Sequence, residues 1–285
     1  MNIQYFTPRY KYKPVSLTGN QCALNCRFCN RKYLENMVHV NPSNFTRVIK
    51  ELYEYGVRGV LLSGGFNRDG VLPIENYIDE LRVVKRELGL ITSAHLGLNT
   101  NRDLLLELKE VIDVVDYEFS LSSFIVNEIR GFQFKPERYI EALTRMLETG
   151  LHVVPHIYVW HPGLDRELLT RETSVLSDLG IEEVTLLVYI DPYVKYEPLK
   201  LAGIVLENIE YLRNTYSGKI YLGCMRPGYI KPLLDPVVIE KNLVDRVANP
   251  HYSVLRKYPS EVFDACCSIP LTDETRRIFK APGIN

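Results

Sequence analysis

The sequence predicts an α/β fold in which parallel strands form a complete (βα)8 or a partial (βα)6–7 barrel. Segments typical of strands and helices alternate along the chain at about 30 residues per unit. The predicted strands are nearly continuous apolar runs, as expected for parallel strands that are buried on both faces. Seven or eight such units in one chain of 285 residues favour a closed or nearly closed barrel over an open doubly wound sheet.

The predicted elements divide the chain into three parts: an N-terminal arm (1–13), a barrel (14–250) and a C-terminal extension (251–285). The first strand covers 15–18. The first helix begins at Asn41, because this capping residue is followed by a proline suited to a first helical position, and it ends at Gly56. Further strands are predicted within 59–63, 90–96, 111–121, 152–159, 183–190, 219–224 and 244–248, and further helices within 74–88, 102–110, 136–150, 165–179 and 202–216.

Composition and charge argue against several classes of protein. Hydrophobic residues make up 46% of the chain, which is enough for one large core. The net charge is −1, from 34 basic and 35 acidic residues, so no long-range field attracts nucleic acid or an anionic membrane. No uncharged apolar run approaches the ~20 residues of a membrane-spanning helix, and the first residues do not resemble a signal peptide. We therefore expect a cytoplasmic protein that binds neither nucleic acid nor membranes.

A loop with three cysteines follows the first predicted strand. Cys22, Cys26 and Cys29 have the spacing C-x3-C-x2-C, and Phe28 precedes the last of them. A cubane iron–sulfur cluster takes four thiolates when the protein saturates it. A loop that offers three would leave one iron open to solvent or substrate, and an open metal position distinguishes catalytic from structural sites.

Two other interpretations of these cysteines are less well supported. A zinc knuckle needs a fourth Cys or His nearby, and the nearest candidate is His39. A disulfide with one spare thiol is disfavoured because nothing upstream indicates secretion. The sequence therefore favours an iron–sulfur cluster.

The cysteine spacing, together with Phe28, resembles the signature of the radical S-adenosylmethionine (SAM) superfamily. This resemblance implies a TIM-barrel-like core and a [4Fe-4S] cluster held by Cys22, Cys26 and Cys29. It also implies that the open iron is chelated by the amino and carboxylate groups of SAM. Reductive cleavage of SAM would then give a 5′-deoxyadenosyl radical that abstracts hydrogen from a substrate.

Ser63, Gly64 and Gly65 follow the second predicted strand of the alternating units. By themselves they are typical of a turn between a strand and a helix, since glycine adopts left-handed angles at no steric cost. Beside the cysteine loop they resemble the Gly-Gly-Glu element of the superfamily, which hydrogen-bonds the amino group of SAM through its backbone. Phe66 stands where that element has Glu, so only the glycines correspond.

Other candidates lie at the ends of later strands, where parallel barrels place their working groups. His95 and Asn99 follow the third strand, Ser120 closes the fourth and His156 lies on the fifth. Both histidines also suit a purely structural place in the barrel interior. The resemblance implies contacts of the histidines with the ribose or carboxylate of SAM, of Asn99 with the ribose, and of Phe28 with the adenine or the cluster.

A second group of cysteines lies late in the chain. Cys224 ends the seventh predicted strand, and Cys266 and Cys267 lie in the extension, which we expect to fold back over the open face of the barrel. In a reducing compartment a free cysteine commonly behaves as a small buried hydrophobe. Three further thiolates are also enough to hold an auxiliary [4Fe-4S] cluster on the substrate side of SAM.

In the radical SAM superfamily, a second cluster facing SAM is typical of enzymes that insert sulfur. The chain resembles biotin synthase-like proteins and, more narrowly, one subunit of the two-protein lipoyl synthase of archaea. The resemblance lies in the barrel length and in two elements, Ser16-Leu17-Thr18-Gly19 and Cys224-Met225-Arg226-Pro227. The single-chain lipoyl synthase carries an N-terminal C-x4-C-x5-C motif that is absent here, so an auxiliary cluster would use the late cysteines.

The narrower resemblance implies a substrate and partners. The substrate would be an octanoyl chain on a lysine of a carrier protein or peptide, with sulfur added at C6 or C8. A second radical SAM subunit would share the work, and a ferredoxin or flavodoxin would supply electrons. Radical SAM chemistry without sulfur insertion (isomerisation, methylation or C–C bond formation) and a non-enzymatic zinc-binding scaffold remain alternatives.

Overall fold

A computed structural model describes residues 3–24 and 26–281 of the chain. Within these residues the strands are β1 (Gln4–Phe6), β2 (Tyr12–Ser16), β3 (Val38–His39), β4 (Gly59–Ser63), β5 (Ile91–Ala94), β6 (Val114–Glu118), β7 (Val153–Trp160), β8 (Glu183–Val188), β9 (Lys219–Leu222), β10 (Arg246–Ala248) and β11 (Val262–Phe263). The α-helices are α1 (Phe45–Glu54), α2 (Ile78–Leu88), α3 (Arg102–Leu108), α4 (Arg138–Glu148), α5 (Arg166–Asp178), α6 (Pro198–Thr215), α7 (Lys231–Glu240), α8 (Tyr252–Lys257) and α9 (Asp273–Phe279).

The strands form one sheet in the order β11-β1-β10-β9-β8-β7-β6-β5-β4-β2-β3. The pairings between neighbouring strands are parallel, and β4 to β10 follow the order of the chain. Helices alternate with the strands, because a parallel connection needs a crossover. The sheet curls into a partial barrel whose interior we call the lumen. The predicted parallel barrel is therefore confirmed in its partial form.

The first helix begins later than the sequence suggests. The side chain of Asn41 accepts hydrogen bonds from the Ser43 hydroxyl at 2.7 Å and the Asn44 amide at 3.2 Å, which makes a turn of this segment. Helix α1 then begins at Phe45 and buries the side chains of Phe45 and Ile49 against the sheet. The proline after Asn41 belongs to the turn and not to the first helical position.

The C-terminal extension forms one edge of the sheet and also contacts β2, which lies next to the other edge. Strand β11 pairs with β1 at one end, and Phe279 of α9 packs edge-on against Tyr12 of β2 at the other, with ring centroids 5.9 Å apart. The carboxylate of Asp264 accepts hydrogen bonds from the consecutive backbone amides of residues 9–11. The N-terminal arm is therefore fastened to the extension and contributes β1 to the sheet.

The extension also fills part of the lumen. Its buried residues, including Cys267 and Ile269, form one apolar cluster with Val114 at the start of β6, Val154 of β7 and Tyr221 of β9. Only the inner face of the sheet brings these three strands to a common cluster. The extension thus enters the lumen and does not fold over the open face, contrary to what the sequence suggests.

Among the described residues, no helix has both the length and the apolar character that crossing a membrane requires.

Candidate active site

The cysteine loop, residues 22–29, begins a few residues beyond the end of β2. Cys26 is buried, whereas Cys22 and Cys29 are partly exposed. The amides of Cys29 and Asn30 both donate to the Cys26 carbonyl, at 3.1 and 2.9 Å, and this turn brings the last two cysteines close together. A surface cleft of about 470 Å³ borders Cys22 and Gly65. The loop is therefore compact and open on one side.

The turn after β4 is fitted closely against the cysteine loop. A Cβ atom on Gly65 would lie 1.9 Å from the Gln21 carbonyl oxygen and 2.5 Å from the Cys22 Cβ. The Gly65 amide donates to Thr18 Oγ1 at 2.6 Å, and the Phe66 amide donates to Cys22 Sγ at 3.3 Å. Glycine is required at position 65 because only its bare backbone allows this approach.

Gly64 and Ser63 complete the same turn. Gly64 has a φ of +152°, and a Cβ there would lie 2.9 Å from Thr18 Oγ1. The Ser63 hydroxyl lies 3.0 Å from His95 Nδ1, which joins the ends of β4 and β5. Burial lowers the pKa of His95, so its imidazole is neutral near pH 7.

Cys26 lies beside a partly buried ion pair that the sequence alone does not predict. The Arg130 Nη1 atom is 3.5 Å from Cys26 Sγ, and Arg130 Nε donates to Glu118 Oε1 at 2.8 Å. The guanidinium carbon lies 4.6 Å from the ring centroid of Phe28, and Tyr158 donates to Glu118 at 3.3 Å. Burial raises the pKa of the Cys26 thiol, and the Arg130 cation opposes that rise. Phe28 therefore contacts the arginine of this pair.

Ser120 is directed away from the cysteine loop. Its hydroxyl donates to Glu172 Oε1 of α5 at 2.9 Å, and the Leu121 amide donates to the same oxygen at 2.6 Å. Glu172 is fully buried, and burial raises its pKa to about 7. In this structure Ser120 therefore ties the end of β6 to α5.

Besides Glu172 Oε2, three buried polar atoms near the carboxyl ends of the strands lack a hydrogen-bond partner within the described residues. They are Asn99 Nδ2 after β5, His161 Nε2 after β7 and the Tyr189 hydroxyl after β8. Unsatisfied buried polar groups are rare in proteins and are expected to meet a ligand or water. Asn99 was predicted from the sequence; His161 and Tyr189 were not, since a single histidine or tyrosine carries no distinctive spacing.

The late cysteines come together in the lumen. Cys224 is exposed to solvent just beyond β9, Cys266 is half-buried and Cys267 is buried. Interaction with Cys266, followed by burial and the nearby Cys224, raises the pKa of Cys267 well above its ordinary value. Enough protein surrounds Cys224 that desolvation also raises its pKa. The three thiols therefore share one environment although 42 residues separate Cys224 from Cys266.

An aspartate of β6 adjoins these thiols. The Cys266 Sγ lies 3.9 Å from Asp116 Oδ2 and 3.2 Å from the Ser268 hydroxyl, which also donates to Asp116. Asp116 Oδ1 is 3.9 Å from His156 Nε2, while His156 Nδ1 donates to the Val154 carbonyl at 3.0 Å. His156, predicted as a SAM contact, therefore presents Nε2 to the group around Asp116.

The donor set of the cysteine loop fits an iron–sulfur cluster. Thiolates are the ligands that such clusters take, and the bare backbone of Gly65 lets the loop lie directly against the glycine turn. In the part of the chain that the structure describes, no three His, Cys, Asp or Glu side chains converge as ligands of one metal ion. A cubane does not need such convergence, because each thiolate binds its own iron.

Comparison with known proteins gives one family and several similar structures. The model of the Radical SAM superfamily matches residues 16–170, which include the cysteine loop, the glycine turn and Arg130. No curated protein matches the chain in sequence.

Three solved structures share the fold at low sequence identity. Methylornithine synthase is similar with a TM-score of 0.59 and 16% identity, over 87% of this chain and 72% of that one. HydG, a maturase of the [FeFe]-hydrogenase, has a TM-score of 0.58 and 13% identity, over 87% and 57%. Native anSMEcpe with bound AdoMet has a TM-score of 0.55 and 12% identity, over 76% and 63%. The chain thus spans less than two thirds of the latter two proteins, and these likenesses concern the fold alone.

Proposed function

The chain belongs to the radical SAM superfamily, and from this membership we propose that it is an enzyme that inserts sulfur into an unactivated C–H bond. Membership implies SAM and a [4Fe-4S] cluster, which we assign to Cys22, Cys26 and Cys29. When bound, this cluster supplies the electron that cleaves SAM. The hydrogen atom would leave the substrate carbon as part of 5′-deoxyadenosine. The late cysteines would hold an auxiliary cluster, which would supply the sulfide for the C–S bond and take up the remaining electron on its iron.

The observation that carries this proposal is that cysteines of both groups lie near side chains of the same strand, β6. Asp116 and Glu118 of β6 are two residues apart, so they face the same side of the sheet and lie about 7 Å apart along the strand. Asp116 adjoins Cys266, and Glu118 holds the arginine that contacts Cys26. Cys266 therefore lies deeper in the lumen than Cys26.

The residues around the late cysteines suit an auxiliary cluster. Three thiols alone leave one position of a four-ligand cluster unfilled. Asp116 offers a carboxylate oxygen, and His156 offers a ring nitrogen because its Nδ1 is occupied by the Val154 carbonyl. Histidine is known to replace cysteine as a ligand in some iron–sulfur centres. Either side chain would complete the ligand set.

Residues at the open end of the lumen are suited to SAM. The glycine turn presents backbone beside Cys22, and Asn99, His161 and Tyr189 each hold a buried polar atom without a partner in the described chain. A bound SAM molecule would satisfy such atoms. Neutral His95 would hold its orientation through the Ser63 hydroxyl without adding a charge.

We further propose that the substrate is an octanoyl chain on a lysine of a carrier protein or peptide, as in lipoyl cofactor biosynthesis. The support for this substrate is the resemblance of residues 16–19 and 224–227 to the corresponding elements of a lipoyl synthase subunit. The same resemblance suggests a second radical SAM subunit and a ferredoxin or flavodoxin as partners. Free thiols and such clusters persist in a reducing compartment, so we place the protein in the cytoplasm.

Anaerobic incubation with SAM, a reductant and an octanoylated carrier peptide tests the proposal. We expect 5′-deoxyadenosine together with a thiolated peptide that mass spectrometry detects. Cys224→Ala should still release 5′-deoxyadenosine but no thiolated peptide, whereas Cys26→Ala should produce neither.

Other outcomes would favour the alternatives. One outcome is that the wild type cleaves SAM but does not thiolate the peptide, either alone or mixed with a second radical SAM subunit. If Cys224→Ala then behaves identically, the enzyme carries out radical chemistry without sulfur insertion. A colourless protein that never cleaves SAM would favour the remaining alternative, a zinc-binding scaffold without enzymatic activity.

A further inference from the structure

Arg130 is held on three sides next to the cysteine loop. Its side chain is only 16% exposed, and it forms a two-pronged ion pair with Glu118. The remaining nitrogen, Nη1, donates to Cys26 Sγ at 3.5 Å, and the guanidinium carbon lies 4.6 Å from the ring centroid of Phe28. The ion pair with Glu118 does not require the contact between Nη1 and the sulfur atom, so this contact points to a further role of Arg130.

The segment before Arg130 is also attached to the cysteine loop. Residues Phe124–Ile129 form a turn of π-helix, and the Arg130 amide donates to the Ile125 carbonyl at 2.9 Å. The Arg27 amide, within the loop, donates to the Ile129 carbonyl at 3.0 Å. Short π-helical segments are frequent at functional sites. Main chain and side chain of this segment thus fix the loop at the same place.

The sulfur atoms of Cys22 and Cys26 have different electrostatic surroundings. The Cys22 sulfur is contacted by a neutral backbone amide, that of Phe66, whereas the Cys26 sulfur faces a full positive charge. Hydrogen bonds to sulfur and the net charge nearby are the main protein influences on the reduction potential of an iron–sulfur cluster. In a poorly solvated site such charges act more strongly than they do in water.

We propose that Arg130 is a positioning residue that raises the reduction potential of the cluster held by the early cysteines. Its cation and its N–H group stabilise the additional negative charge that the cluster carries when reduced. Glu118 holds Arg130 in place and, through its own negative charge, limits the rise. The inference depends on the cluster of the early cysteines and not on sulfur insertion.

The test is a redox titration of the reconstituted protein without SAM, followed by electron paramagnetic resonance. Omitting SAM ensures that any role of Arg130 in binding SAM does not affect the result. To isolate one signal, all proteins carry Cys224→Ala, Cys266→Ala and Cys267→Ala. We expect Arg130→Gln to shift the midpoint potential to more negative values and Glu118→Gln to shift it to more positive values. Arg130→Lys, which keeps the charge, should lie closer to the unsubstituted arginine than Arg130→Gln does.

Arg27→Gln is a matched control. It removes the same charge one residue from Cys26, but the Arg27 side chain is 47% exposed and pairs with Asp191 at 3.6 Å. Its shift should be much smaller than that of Arg130→Gln, because solvent screens an exposed charge.

Iron content, measured on every variant, shows whether the cluster is retained. If Arg130→Gln loses the cluster, the positive shift in Glu118→Gln decides the question. The proposal is wrong if Glu118→Gln leaves the potential unchanged, or if both substitutions shift it in the same direction. Such a failure would not affect the proposed sulfur insertion, which the late cysteines decide.

Discussion

At the scale of single residues, the position of the cysteine loop depends on the absence of a side chain at Gly65. A Cβ there would meet Gln21 and Cys22 at distances that real atoms do not adopt. The neighbouring contacts come from backbone and from the short side chain of Thr18, so the loop has little freedom to move aside. The chemistry of the early cysteines is therefore sensitive to a residue that itself binds nothing.

We expect Gly65→Ala to displace the cysteine loop and to lower the iron retained after reconstitution to a small fraction of the wild-type value. Overpacking of this kind costs about 1–3 kcal/mol, so the barrel should still fold. Iron analysis and thermal unfolding measure the two effects. Gly203→Ala is the control: its Cβ meets nothing within 4 Å, and α6 should be stabilised by about 0.5–1 kcal/mol. Equal iron in both variants would contradict the close fit.

Glu172 is a second residue with a measurable consequence. Its pKa is raised from 4.5 to about 7 by burial, so the folded protein binds a proton more tightly than the unfolded chain does. The stability associated with this proton is fully present below pH 4.5 and is lost as the pH rises to about 7. The loss should amount to about 3 kcal/mol.

We expect Glu172→Gln, which cannot ionise, to abolish this part of the pH dependence. The free energy of unfolding of the wild type, relative to that of the variant, should fall between pH 5 and pH 8 in urea titrations. Parallel curves for the two proteins would show that Glu172 stays ionised in the folded state.

The residues of the site differ in how far the sequence foretells them. The cysteine loop carries its own spacing, and the superfamily match at 16–170 includes it. Arg130 and Glu118 lie about a hundred residues from Cys26 and follow no periodic pattern, so only the folded chain brings them together. The partner of Ser120 is likewise a residue of a distant helix.

At the scale of elements, the alternating apolar runs predicted β4 to β9 and their helices because those elements are long enough to show a period. Strands β1, β3 and β11 have two or three residues each and therefore no period. Helix α7 contains Pro236, which removes one backbone donor and obscures the helical pattern. These elements depend on tertiary contacts for their formation.

Asp264 is such a contact between the arm and the extension. Its carboxylate satisfies the backbone amides of Arg9, Tyr10 and Lys11. Hydrogen bonds to charged groups are worth more than neutral ones, and unsatisfied amides are costly. We expect Asp264→Ala to lower the free energy of unfolding by about 2–3 kcal/mol, with a smaller loss in Asp264→Asn.

Urea unfolding measures this loss, and Asp273→Ala serves as an exposed control that should change stability little. If Asp264→Ala is as stable as the wild type, the other contacts of the arm, such as the pairing of β1 and the Lys11 bond to the Ile278 carbonyl, are enough to hold it.

At the scale of the whole molecule, the sequence was sufficient for a parallel barrel but not for the contents of its lumen. The extension carries Cys266 and Cys267 on an irregular segment between the two-residue strand β11 and the short helix α9. Apolar side chains between these elements pack against the starts of β6 and β7, and so draw the cysteines inward. Cys266 thus adjoins the same strand, β6, whose Glu118 holds the arginine beside Cys26.

Iron stoichiometry after anaerobic reconstitution tests this arrangement most directly. We expect about eight irons per chain in the wild type, and about four when either the early or the late cysteines are all replaced by alanine. The two variants control for each other, since each keeps one group intact. A contradicting result would be about four irons in the wild type. In that case, replacing the early cysteines would remove all the iron and replacing the late cysteines would change nothing, so the chain would hold one cluster and not two.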